Sequence, residues 1–148
     1  MNTVKVLKET VLFKGIDERI INILANISET ASVPAETIIF AEGMQSDAMF
    51  IIASGTVNVI KDTQDKNESV IGELSAGDVM GILSLFRNGD RSVTVKAIGP
   101  VDLVTITKES FEKLVKNNIH AAYQILFSIT QYVANLLNAP EGIKEIIP

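Results

Sequence analysis

Short runs of β-favouring residues, separated at regular intervals by turn residues, fill the chain between residues 28 and 107. Turn residues such as Pro34, Gly43, Gly55 and Gly77 lie between successive runs. Strands this short and this evenly separated are typical of an antiparallel sandwich or barrel. The runs are ETASV, ETIIFA, AMFIIAS, TVNVIKD, SVIGEL, SVTVKAI and VDLVTIT. This pattern predicts a β-roll as the centre of the fold.

Both ends of the chain have helical periodicity instead. Residues 4–14 contain an apolar stripe, and Asp17 can cap a second helix over Glu18 to Ile27. Thr107 can cap a helix over Lys108 to Lys116, and a longer apolar helix follows to Asn138. We therefore predict a mainly β protein with flanking α-helices. The expected single domain, 1–148, divides into a helical lead-in 1–27, a β-roll 28–107, C-terminal helices 108–138 and a tail 139–148.

Composition narrows the classes of partner. The net charge of −5 gives no reason to expect nucleic acid or an acidic membrane surface as a partner. We find no apolar run of ~18 residues and no signal-peptide core at the N-terminus. The absence of cysteine fits a cytoplasmic location. We expect a cytoplasmic protein with no membrane and no nucleic-acid partner.

The inventory of reactive side chains argues against an enzyme. The single histidine, His120, lies in an apolar helical neighbourhood, and one histidine cannot supply a metal site inside a barrel. The serines lie in no recognisable nucleophile motif. We expect neither catalytic residues nor a metal, and no certain cofactor.

The stretch from Gly77 to Ala97 is the best candidate for a binding site. Gly81 permits close approach of the backbone to a ligand, and a one-turn helix after it would present free N–H groups to an anion. Arg91 adds a permanent cation whose planar fork suits phosphate oxygens. An ion pair between Arg91 and a neighbouring carboxylate, Asp78 or Asp90, is the alternative interpretation.

This stretch resembles the phosphate-binding cassette of the cyclic nucleotide-binding domains. The shared positions are Gly81, Leu83, Ser84, Leu85, Arg91, Ser92, Val95 and Ala97. The segment from Phe40 to Val57 also resembles that family, as does the helical phrase that ends in the second helix. The resemblance implies a double-stranded β-helix, or jelly roll, and a ligand such as cAMP or cGMP. It implies that the phosphate meets Arg91, Ser92 and the backbone from Gly81 through Ile82 to Leu83, and that Asn135 is a candidate base contact.

One position departs from the family pattern. The glutamate that holds the ribose 2′-hydroxyl in this family falls on Ile82. An unpaired buried hydroxyl costs ~1–3 kcal/mol, or about one to two decades of affinity. Three outcomes therefore stay open: weak binding of cAMP or cGMP, preference for an anionic ligand without a 2′-hydroxyl, or a domain that has lost its ligand.

The long C-terminal helix carries the prediction about partners. Its apolar surface is too wide for packing on one side only, so a second face is available for another subunit. The family resemblance implies a homodimer through residues 119–138 and signalling through this helix. We expect a sensing module without an attached DNA-binding or kinase domain, so its output would require oligomerisation or a separate effector protein. The alternative is a degenerate domain that serves only dimerisation or protein interaction.

Overall fold

The structure is a computed structural model that describes residues 1–63, 65 and 67–138. The predicted tail, 139–148, lies outside the described residues. The strands are β1 (Glu29–Val33), β2 (Ile38–Phe40), β3 (Ala48–Ser54), β4 (Thr56–Asp62), β5 (Glu68–Ser75), β6 (Val79–Met80), β7 (Thr94–Ala97) and β8 (Val101–Thr107). The helices are α1 (Thr3–Glu9), α2 (Glu18–Ile27), α3 (Lys108–Asn117) and α4 (Ile119–Leu136), and a 3-10 helix covers Ile82–Leu85.

The strands form two four-stranded antiparallel sheets. One sheet has the order β1-β8-β3-β6 and the other has the order β2-β7-β4-β5. Strands far apart in sequence are neighbours in both sheets, as in the pairing of β1 with β8 and of β2 with β7. This arrangement, with helices before and after the roll, confirms the predicted jelly roll and its flanking helices.

The sheet that contains β3 and β8 has apolar side chains on both faces, because successive residues of a strand point in opposite directions. Met49 and Ile51 of β3 face the helices, whereas Ile52 joins the core between the two sheets. On β8, Val104 faces the helices and Leu103 faces the second sheet. The molecule therefore has two apolar cores that share this sheet as a common wall.

The core on the helical side holds the helices against the roll. It includes Leu7 of α1, Leu24 of α2, Phe111 of α3 and Ile125 of α4, together with Ile82 of the 3-10 helix. The helices begin where side-chain caps are available, because a cap satisfies backbone N–H groups that have no partner within the helix. The caps are Asp17 for α2, Thr107 for α3 and Asn118 for α4, and the first two were predicted.

The first helix is shorter than its apolar stripe predicts. It ends at Glu9, and Thr10 has an extended backbone. The buried Thr10 hydroxyl donates a 2.8 Å hydrogen bond to the Gly77 carbonyl. This tertiary contact stabilises the extended conformation at a position where local periodicity alone favours a longer helix. No helix in the described part of the chain has both the length and the apolarity required to cross a membrane.

Candidate ligand-binding site

The site lies where the turn at residues 87–90 meets the loop that precedes β3. The Ser46 amide donates to the Gly89 carbonyl at 2.9 Å, and Gln45 forms a β-bridge with Asp90. The backbone of Arg91 is held on both sides, since its amide donates to the Met44 carbonyl at 2.7 Å and its carbonyl accepts from Gly43 at 2.9 Å. The loop that contains Gly43 and Met44, distant from Arg91 in sequence, thus fixes the position of its backbone.

Gly81 begins the 3-10 helix with a left-handed backbone, at φ 71° and ψ 32°. This conformation costs roughly 1–2 kcal/mol for a residue with a Cβ atom. Space is also limited, because a Cβ at this position would lie 2.4 Å from Nη1 of Arg91 and 3.0 Å from the Ala48 carbonyl. Gly81 is therefore required both by its backbone angle and by the closeness of the guanidinium.

Arg91 is almost fully buried, with 6% of its surface exposed. Its Nη1 donates to the Ser84 hydroxyl at 3.0 Å, and its Nη2 donates to the Ala48 carbonyl at 2.8 Å. The guanidinium carbon lies 4.3 Å from the centre of the Phe40 ring and 5.5 Å from that of Phe50. Aromatic faces attract a cation and thereby offset part of the cost of removing it from water.

The buried guanidinium has no counter-ion among the described residues. The alternative ion pair with Asp78 or Asp90 does not form, because neither carboxylate bonds to Arg91. Its Nε is buried and has no hydrogen-bond partner in the part of the chain that the structure describes. Burial lowers the pKa of Arg91, and the more distant Asp47 carboxylate opposes that shift in pKa. Burying a cation without a paired anion costs free energy.

A cavity of about 40 Å³ opens beside this guanidinium. One water molecule requires about 10–15 Å³ on this scale, so the cavity has room for a small group beside the guanidinium. Leu83, Arg91 and Ser92, three of the predicted site residues, line it, and Gly81 abuts Arg91. The remaining lining residues are Phe40, Ser46, Ser84, Arg87, Gly89, Asp90 and Val93.

Two other predicted site residues lie elsewhere. The Ile82 side chain is only 1% exposed and packs in the core on the helical side, not against the cavity. Asn135 is exposed near the end of α4 and does not line the cavity either. The roles in ligand binding assigned to these two residues stay predictions.

Several residues around Arg91 were not recognised from the sequence as parts of a site. Phe40 matched the family only as a core residue, yet its ring lies against the guanidinium. Ser46 contacts the Ser84 hydroxyl, and Arg87 lines the cavity opening. The signal available for Ser46 was its place inside the segment from Phe40 to Val57 that resembles the family, whereas nothing in the sequence pointed to Arg87.

The metal-ligating residue types and the single histidine lie away from this cavity or apart from one another. Within the described residues, no group of three or more histidine, cysteine, aspartate or glutamate residues is placed to hold a metal ion. His120 is exposed on α4 and lines a different groove, between α2 and α4.

A family model described as the cyclic nucleotide-binding domain matches residues 30–118. The chain belongs to this family. The matched segment includes Arg91 and α3, and it includes every residue of the roll except Glu29, the first residue of β1. As a member of the cyclic nucleotide-binding domain family, the chain carries a domain that generally regulates rather than catalyses.

Curated relatives extend beyond the region that they share with this chain. A lysophospholipase of Coccidioides immitis is 29% identical over 112 residues, which are 76% of this chain and 7% of that protein. A CRP-like cAMP-activated global transcriptional regulator of Mycobacterium tuberculosis is 25% identical over 122 residues, which are 82% of this chain and 54% of that protein. The chain thus spans from less than a tenth to about half of the length of these relatives.

Solved structures of low sequence identity share the fold. A cyclic nucleotide-binding domain from Methylobacillus flagellatus has a TM-score of 0.81 at 22% identity, covering 97% of this chain and 80% of that one. The catabolite activator protein of Thermus thermophilus has a TM-score of 0.77 at 21% identity, covering 87% of this chain and 59% of that one. These likenesses establish the architecture of the cyclic nucleotide-binding domain for this chain.

Proposed function

We propose that this domain is a non-enzymatic sensor that binds a phosphate-bearing ligand such as cAMP or cGMP, with the phosphate at Arg91. The observation that carries this proposal is the buried Arg91 guanidinium, which has no counter-ion among the described residues and lies beside a cavity of about 40 Å³. An uncompensated buried charge is costly, and a bound anion would remove most of that cost. The CRP-like relative from Mycobacterium tuberculosis, described as cAMP-activated, supports the choice of ligand class.

The proposed signal leaves the site through α3. Phe86, directly after the 3-10 helix, packs edge to face on Phe111 of α3 with 5.6 Å between the ring centres. The Lys108 ammonium at the start of α3 donates to the Asn88 side chain at 2.5 Å. Helix α3 in turn packs against α4. A ligand that moves the cassette would therefore act on α4 through contacts of α3.

The test is a calorimetric and thermal-shift titration with cAMP, cGMP and their 2′-deoxy analogues. Ligand at a hundredfold excess over its Kd should stabilise the wild type by ~2.7 kcal/mol. Arg91→Met keeps a long apolar stem but removes a contact worth ~1.5–3 kcal/mol, so affinity should fall about 10- to 150-fold. Arg19→Met, which removes an exposed arginine of α2, is the matched control and should bind as the wild type does.

The outcome that contradicts the sensor is the absence of any shift by millimolar ligand in a folded wild-type protein. Equal affinity for the 2′-deoxy analogues would show that ribose recognition has been lost together with the family's glutamate. Loss of binding in Arg19→Met as well would point to nonspecific charge attraction rather than to the cavity.

The exposed apolar face of α4 favours a second role, assembly of a homodimer. Three faces can be distinguished on this helix from its 100° step per residue. Ala121, Ala122, Ile125 and Ile129 are buried on the core, while His120, Gln124 and Asn135 form a polar face. The third face is apolar and exposed, and consists of Ile119, Tyr123, Leu126, Phe127 and Leu137. A second copy of α4 would bury this face.

Sedimentation of two variants tests the dimer. Phe127→Glu places a charge in the middle of the exposed apolar face and should yield monomers. Gln124→Glu adds the same charge on the polar face and should leave the dimer intact. A monomeric wild type at all concentrations would exclude the homodimer, and a separate effector protein would then be the remaining partner for this face.

A further inference from the structure

Two hydroxyl groups extend the hydrogen-bond network of Arg91 toward the surface of the cavity. Nη1 of Arg91 donates to the Ser84 hydroxyl at 3.0 Å, and the Ser84 hydroxyl in turn contacts that of Ser46. Ser84 is almost fully buried, whereas Ser46 is half-buried and lines the cavity. The network therefore runs from the guanidinium through a buried hydroxyl to a hydroxyl that borders the cavity.

The direction of these hydrogen bonds follows from the protons that each group carries. A guanidinium only donates, so Ser84 accepts from Arg91. Ser84 also has one hydroxyl proton of its own, and among the described residues the Ser46 oxygen is the only acceptor bonded to that hydroxyl. A buried hydroxyl proton without an acceptor costs free energy, so Ser84 donates to Ser46.

Ser46 consequently keeps its own proton for another acceptor. Its oxygen accepts from Ser84, and its hydroxyl donates to no second group in the described part of the chain. Because the side chain borders the cavity, this proton is available to a group bound beside Arg91. We propose that the Ser46 hydroxyl is a ligand-binding group of this site, which donates a hydrogen bond to an exocyclic oxygen of the bound phosphate. This inference rests on the proposed function, since it places the phosphate in the same cavity.

The surrounding structure prepares Ser46 to donate to an anion. Its amide donates to the Gly89 carbonyl at 2.9 Å, and the carbonyl of the next residue, Asp47, accepts from the Lys108 amide at 2.8 Å. A donor on a backbone that is already held loses less conformational freedom when a ligand binds. The hydrogen bonds from Arg91 to Ser46 all point the same way and begin at a cation, so each bond polarises the next one.

Calorimetric titration of the full chain with cAMP tests the role of Ser46. Ser46→Ala should lower the affinity about 5- to 20-fold, because it removes a hydrogen bond to a charged group at a partly solvated position. Ser46→Thr keeps the hydroxyl and should bind within about twofold of the wild type. Ser46→Cys, whose thiol is a weaker donor, should have an intermediate affinity. Ser69→Ala, which removes an exposed hydroxyl of β5, is the matched control and should bind as the wild type does.

A second readout separates a direct contact with the ligand from a purely structural role of Ser46. The two diastereomers of the cAMP phosphorothioate carry sulfur in place of one or the other exocyclic oxygen, and sulfur is the weaker hydrogen-bond acceptor. Ser46→Ala should therefore change the ratio of the two affinities by at least about threefold, because only one of the diastereomers keeps oxygen opposite the hydroxyl. Ser46→Thr and Ser69→Ala should keep the ratio of the wild type.

The outcomes separate this inference from the proposed function. If Ser46→Ala binds cAMP as tightly as the wild type, or weakens the binding of both diastereomers equally, the inference is wrong. The sensor then stands, provided that Arg91→Met weakens binding as expected. If cAMP does not bind to the folded wild type, both the inference and the proposed function are wrong.

Discussion

Ile82 and Arg91 stand at the two ends of one cassette and are buried almost equally, yet their burial has opposite consequences. Ile82 packs among the apolar side chains of four helices and needs no further partner. Arg91 packs beside two stacked phenylalanine rings, with hydrogen bonds to Ser84 and Ala48 but no counter-ion among the described residues. Burial by itself thus identifies neither core nor site, and the distinction depends on whether each polar atom has been satisfied.

The largest expected effect comes from restoring the family's glutamate. Ile82→Glu would place a carboxylate in the core on the helical side, so we expect a loss of at least about 4 kcal/mol in the free energy of unfolding and no gain of affinity. Burial raises the pKa of such a carboxyl above its unfolded value of about 4.3. The loss should therefore be smallest below that pH and grow as the pH rises.

Urea unfolding between pH 4 and pH 8 provides the measurement. Ile82→Val, which removes one methyl group, is the control and should cost only about 0.5–1.5 kcal/mol at every pH. A stable Ile82→Glu protein that binds cAMP more tightly than the wild type would contradict the assignment of Ile82 to the core, because position 82 would then face the ligand.

An intermediate effect is expected at Gly81. Gly81→Ala combines an unfavourable left-handed backbone with a Cβ atom 2.4 Å from Nη1 of Arg91, so we expect a cost of about 2–4 kcal/mol and displacement of the guanidinium. Gly77 also has a positive φ, of 94°, but a Cβ there would meet nothing within 4 Å.

Gly77→Ala is consequently the matched control for backbone strain alone, with an expected cost of about 1–2 kcal/mol. Thermal unfolding and cAMP titration of both variants separate the effect of backbone strain from the effect of the clash with the Arg91 guanidinium. Equal stability and equal binding in the two variants would mean that the guanidinium does not depend on the absence of a side chain at position 81.

The smallest expected effect concerns the hydroxyl that accepts from Arg91. Ser84→Ala leaves Nη1 of the buried guanidinium without its hydroxyl partner. The free energy of unfolding should fall by about 1.5–3 kcal/mol, and by the smaller of these values if a water molecule replaces the hydroxyl. Ser92 lines the same cavity but is exposed, so Ser92→Ala should change the unfolding free energy by no more than about 0.5 kcal/mol. Denaturant unfolding of both variants measures the difference, and equal costs would show that the Ser84 hydrogen bond contributes no stability.

The sequence predicted most of the architecture because the signals for it are local. Alternating apolar residues and turn residues placed four of the strands at their observed bounds, and side-chain caps placed the starts of α2 and α3. The two-residue strand β6 was not predicted, because Val79 and Met80 are too few to show a period and are recruited by pairing with β3. The end of α1 was wrong for a related reason, since the hydroxyl of Thr10 bonds to a carbonyl 67 residues away.

At the candidate site, the residue types by themselves determined that Gly81 and Arg91 could together bind an anion. Glycine permits close approach of the backbone and arginine is a permanent cation, whatever the surrounding structure. Only the tertiary structure decided that Arg91 is buried with no counter-ion in the described part of the chain, that Ile82 faces the helices and that Arg87 lines the cavity at Arg91. The physical reason is that the direction of a side chain and the supply of its partners depend on segments distant in sequence, here the loop at residues 43–48 and the four helices.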